Sequence, residues 1–180
     1  GNTVTNVTLT STGSPTNATV GTYPITASAA LGTGLTNYSL AYSNGLLTVE
    51  TKGLLLVAAS TNKTYGVELL PTLYSVAGLT NNDSVTNVTL TSLGSPTNAT
   101  IGSYPIVPSS PLGAGLTNYS ITLSNGSLTV GTASLLITAA NTNKVYGAAL
   151  QPTLYAVSGL LNGNTVTNVT LTSTGSPTNA

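Results

Sequence analysis

The chain has 180 residues, of which 3% are charged: Lys52, Lys63, Lys144, Glu50, Glu68 and Asp83, for a formal net charge of zero. That balance gives no electrostatic footing for nucleic acid or an anionic membrane, and three acids with no histidine leave general acid–base catalysis without its usual groups. Without cysteine there is no disulfide, thiolate metal site or thiol nucleophile, and no apolar run approaches the roughly 18 residues that span a bilayer.

In chain order the signals are those of strands. Val4 to Thr10 alternates, with Val7 and Leu9 on one face and Thr8 and Thr10 on the other. Gly13-Ser14-Pro15-Thr16-Asn17 reads as a turn. Gly21-Thr22-Tyr23-Pro24-Ile25 follows as a strand that should lie at an edge or begin near Pro24, because proline cannot donate to a ladder. Tyr38, Leu40 and Tyr42 then alternate up to Asn44-Gly45, and Leu47 and Val49 alternate beyond it. Asn-Gly suits a tight turn with positive φ, so a hairpin is predicted there, with a second at Asn125-Gly126. After a spacer at Glu50–Gly53, Leu54 to Ala59 is a strand with Leu54, Leu56 and Ala58 inward. Pro71 to Val76 alternates again, and Gly78-Leu79 opens a polar loop into Val85.

The elements then start over. Gly1–Ala18 recurs unchanged as Gly163–Ala180, and Tyr23, Asn37, Lys63, Tyr65 and Tyr74 recur at Tyr104, Asn118, Lys144, Tyr146 and Tyr155, always 81 positions on. A gapless period of this length predicts a tandem array of small modules. The fold class expected is all-β: small antiparallel modules, β-grasp-like or immunoglobulin-like sandwiches, in an elongated array. The spacers at 50–53 and 131–134 place one complete module at 54–130, the later part of a preceding one at 1–49, and the earlier part of a following one at 135–180. Both ends then fall inside modules, as in a trimmed stretch of a longer array or in halves completed between chains by strand addition. With so few charges, self-association is weakly opposed.

Asn143-Lys144-Val145-Tyr146-Gly147, Gln151 to Leu160 and Asn162-Gly163-Asn164-Thr165-Val166 resemble the MBG repeats of bacterial surface adhesins, of the variety marked by a Tyr-Gly pair. Gly102-Ser103-Tyr104-Pro105-Ile106, and Asn118-Tyr119 through Val130, fit the rest of that pattern. The resemblance covers the whole chain. It implies a small β-rich module strung in tandem in a secreted adhesin, hence an extracellular or cell-surface location, and the family's name points to mucin or glycan binding. A more acidic pattern is expected after Tyr-Gly and in the Asn-Gly-Asp loop, where this chain has Ala148 and Asn164.

No acid recurs: Glu50 pairs with Gly131, Glu68 with Ala149, and Asp83 with Asn2 and Asn164. No catalytic, metal or cofactor-binding residues are therefore assigned, and the chain is not read as an enzyme. Lys63 and Lys144 are the recurring charges. Each is either half of an intramolecular Lys–Asn amide or a lysine snorkelling beside Tyr65 or Tyr146. Asn-x-Ser/Thr triplets at Asn6, Asn17, Asn37, Asn87, Asn98, Asn118, Asn125 and Asn168 are candidate N-glycosylation sites; Asn62 and Asn82 also begin such triplets. Among the tyrosines, Tyr38 and Tyr119 read as core, and Tyr65 and Tyr146 as the least buried. Two functions are compatible with this pattern. One is a structural repeat of an adhesin stalk or extracellular filament, whose partners are neighbouring copies of itself. The other is a module binding glycans or mucin through many copies.

Overall fold

The computed structural model describes residues 1–177. In chain order its strands are β1 (Thr3–Thr10), β2 (Gly21–Thr33), β3 (Gly45–Val49), β4 (Lys52–Ala58), β5 (Thr61–Thr64), β6 (Tyr74–Ala77), β7 (Ser84–Thr91), β8 (Gly102–Ala114), β9 (Tyr119–Ser124), β10 (Gly126–Gly131), β11 (Leu136–Ala139) and β12 (Tyr155–Ser158). Single 3-10 turns lie at Leu35–Asn37 and Leu116–Asn118. The fold is all-β. Two compact units divide the described residues: 1–59, 73–90 and 107–125 in one, and 60–72, 91–106 and 126–177 in the other.

In the first unit β2 pairs with both β1 and β3. β1 lies against Thr26–Thr33 and β3 against Gly21–Ile25. Pro24 therefore sits near the start of β2, in the half that β1 does not reach, which is where a residue without an N–H is tolerated. A second sheet places β4 between β6, antiparallel, and β9, parallel. Leu54, Leu56 and Ala58 face its core at 2%, 0% and 2% exposure, as the alternation predicts. Lys52 and Gly53 belong to β4 and pair with Tyr119 and Ser120. β7 runs beside the later half of β8, where the Thr86 hydroxyl donates to Leu112 O at 3.2 Å.

In the second unit β10 lies between β5, parallel, and Gly102–Ile106 of β8, antiparallel. Ile106, Leu128 and Val130 form its buried centre. β11 and β12 make a two-stranded antiparallel ladder. A two-stranded ribbon covers little apolar surface, and Leu135 and Ile137 stay exposed where their counterparts Leu54 and Leu56 are buried.

The predicted hairpins do not form. β9 pairs with β4, and β10 with β5 and β8, with Lys52 opposite Tyr119 and Thr61 opposite Leu128, an offset of 67 residues in both. Asn125 therefore lies between two strands that do not pair with each other. In the earlier period β3 pairs with β2, and residues 38–42 form no strand. The backbone gives the reason: Asn44, Gly45, Asn125 and Gly126 all lack the positive φ that a type I′ turn requires. Positive φ appears instead at Asn81 and Asn82 (54° and 62°) and at Asn162 and Gly163 (52° and 73°). There Asp83 N–H donates to Thr80 O, and Asn164 N–H to Leu161 O, closing two tight turns.

Candidate functional site: the joint between repeats

Among the described residues no three of His, Cys, Asp and Glu cluster as metal ligands. Asp83 instead serves a structural hydroxyl: the Tyr119 O–H donates to its Oδ2 at 2.8 Å and accepts the Thr80 N–H at 3.0 Å. Burial, and next the bond to Asp83, hold the Tyr119 hydroxyl above its ordinary pKa. In the preceding period Asn2 Nδ2 donates to the Tyr38 hydroxyl at 2.9 Å. Tyr119 is buried as expected, but Tyr38 is 56% exposed. The difference lies in pairing, because Tyr119 begins a strand laid against β4 and Tyr38 belongs to no strand.

Lys63 neither snorkels nor joins an asparagine. It is 8% exposed, and its ammonium donates to Ser95 O at 2.9 Å and to Pro96 O. Lys144 repeats the device on Pro177 O. An ammonium can donate three hydrogen bonds, and the carbonyls of the Ser-Pro turn supply acceptors without a carboxylate. Of the candidate glycosylation sites, Asn6, Asn17, Asn37, Asn87, Asn98, Asn125 and Asn168 are exposed. Asn118 is half-buried, and its Oδ1 accepts the Val20 N–H at 3.0 Å.

That last bond belongs to a set joining segments on either side of residues 50–53 or of residues 131–134. In the first unit Asn81 Nδ2 donates to Thr16 O at 2.9 Å, and in the second Asn162 Nδ2 donates to Thr97 O, also at 2.9 Å. Both donors and both acceptors are 81 residues apart, so the same contact is made twice. Each donor is the first central residue of one of the two positive-φ turns, whose backbone turns the amide toward the preceding Ser-Pro-Thr loop. In sequence, Asn81 falls in the polar loop into Val85, and Asn162 in a stretch that carries the family resemblance. The signal was present in the Asn-Asn and Asn-Gly pairs at 81–82 and 162–163, which tolerate the left-handed region best.

Around the second joint Asn164 Nδ2 donates to the Tyr65 hydroxyl at 3.1 Å. A cleft of about 240 Å³ lies there, lined by Tyr65, Ile101, Leu135, Leu160, Leu161 and Asn164. Tyr65 is half-buried, while Tyr146 is 89% exposed.

The stretch holding Tyr65-Gly66, from the start of β4 into β10, has a recognisable pattern. Residues 54–129 match the family model of the MBG domain, YGX type. This stretch is an MBG domain. Its match runs from Leu54 in β4 to Thr129 in β10, and its Tyr65-Gly66 pair is the pair that meets Leu161 and Asn164. The MBG domain is a type of bacterial surface, adhesin-like repeat and not an enzymatic one. No curated protein and no solved structure matches the chain. No helix among the described residues is long and apolar enough to cross a membrane.

Proposed function

We propose that the chain is a structural tandem repeat of a secreted or cell-surface adhesin, acting as a stalk or extracellular filament with neighbouring copies of itself as partners. One observation carries this reading: the bond from Asn81 to Thr16 O is remade 81 residues later from Asn162 to Thr97 O. Flexible beads on a string would not need a specified contact at each boundary. A specified one makes each repeat a template for placing the next, so the array propagates as in other solenoid-like proteins.

The alternative, a multivalent binder of glycans or mucin, needs the same side chains offered in each repeat. Tyr38 is exposed beside a cleft of about 350 Å³ with Asn2 and Leu40, but its counterpart Tyr119 is buried. Tyr65 and Tyr146 differ in the same way. The stalk reading is therefore preferred, and the exposed candidate asparagines would carry glycans on its sides in a source that modifies them.

Small-angle scattering from chains of two, three and four periods tests the reading. The longest dimension should grow by the same increment with each added period. A dimension that levels off, or that follows the square-root growth of a flexible chain, would overturn it.

A further inference from the structure

Tyr65-Gly66 is covered by one short turn of the following segment. Gly66 has φ +88°, a conformation that favours glycine, and its N–H donates to Thr97 O at 3.1 Å. The same carbonyl takes the amide of Asn162. A Cβ on Gly66 would run into the Leu161 side chain, and the Tyr65 hydroxyl takes the amide of Asn164. So Leu161 lies over the glycine, the Asn164 amide is on the tyrosine hydroxyl, and the Asn162 amide is on the carbonyl that also takes the Gly66 N–H.

Tyr146-Gly147 is built in the same way. Gly147 has φ +83°. Leu150 N–H donates to Ser176 O at 3.2 Å, as Leu69 N–H does to Ser95 O at 3.1 Å, and Lys144 grips Pro177 O as Lys63 grips Pro96 O. Yet Tyr146 is 89% exposed, and no described atom lies within 4 Å of a Cβ placed on Gly147. The backbone is set, and none of the described residues covers it.

We infer that the Tyr-Gly pair is a docking socket for the next repeat, and that the socket at Tyr146-Gly147 takes the corresponding turn of a further copy of the repeat. The occupant is identified by the filled example in the same chain: an apolar residue, an asparagine, a residue at ease with positive φ, and a second amide. The inference rests on the structural-repeat reading and names the surface through which repeats recognise one another. It also accounts for glycine after the tyrosine, since a side chain there would be strained and would occupy the place of Leu161.

Nitration of tyrosines by tetranitromethane, mapped by mass spectrometry, tests it on the full chain and on the chain lengthened by one period at its C-terminal end. In the unaltered chain Tyr146 should react faster than Tyr65, with Tyr119 slowest. Asn162→Ala, on the surface, and Leu161→Ala should each bring Tyr65 up to the rate of Tyr146 while Tyr119 stays slow, which shows that the fold holds. In the lengthened chain Tyr146 should slow to the rate of Tyr65. Equal rates at Tyr65 and Tyr146 in the unaltered chain, or an unchanged Tyr146 in the lengthened one, would overturn the inference. So would protection of Tyr146 by mucin glycans but not by the added repeat. Failure here leaves the scattering result standing, so the two readings fail separately.

Discussion

Lys63 shows how a chain with so few charges uses one. Its ammonium is taken out of water and satisfied by the Ser95 and Pro96 carbonyls, tying β5 to the turn that carries Thr97. Charged hydrogen bonds contribute more than neutral ones, and carbonyls stripped of a partner are costly when buried. Lys63→Ala should therefore destabilise the chain by about 2 kcal/mol in denaturant unfolding. Lys144→Ala, at a half-buried site with one carbonyl partner among the described residues, should cost clearly less. Equal effects would mean that loss of the stem's packing, and not the enclosed ammonium, sets the cost. The tyrosines make the same point about context. Tyr38 and Tyr119 occupy equivalent positions in sequence, and their burial is decided by whether the strand they open finds a partner.

At the scale of elements, alternation and residue preference placed most strands, while turn chemistry misplaced two connections. Asn-Gly at 44–45 and 125–126 suggests a hairpin because those residues permit positive φ, but permission is not use. Gly45→Ala should accordingly be near neutral, within about 0.5 kcal/mol, since a Cβ there meets only Ile25 at ordinary distance. Gly163→Ala, at φ +73°, should cost about 1 kcal/mol or more. Unfolding midpoints of the two variants decide between the arrangements, because a hairpin turn at Gly45 would reverse the order. The inward set Leu54, Leu56 and Ala58 was legible because burial follows the two-residue period of a strand. The parallel pairing of β4 with β9 and of β5 with β10 was not, because each joins residues 67 apart and periodicity carries no partner information. The joint was half legible: Asn81 and Asn162 lie in turns that composition marks, but their acceptors Thr16 and Thr97 lie 65 residues away in loops with no apolar pattern to place them.

For the whole molecule, the account turns on whether the boundary between repeats is a built contact or a loose link. The Asn81–Thr16 and Asn162–Thr97 contacts each set a side-chain amide from a tight turn on a backbone carbonyl, and the second adds the seat of Leu161 on Gly66. None of these is strong alone; a neutral hydrogen bond contributes about 1 kcal/mol net. Repeated at every period, they would suppress bending at each joint and let a nearly uncharged chain extend without electrostatic repulsion. Amide hydrogen exchange across the full chain tests this most directly. The Asp83 and Asn164 amides, which close the two turns, should exchange slowly and at matching rates, comparable to amides of the strands beside them. Exchange of both at the rate of an unstructured peptide, with the strands still protected, would contradict the account.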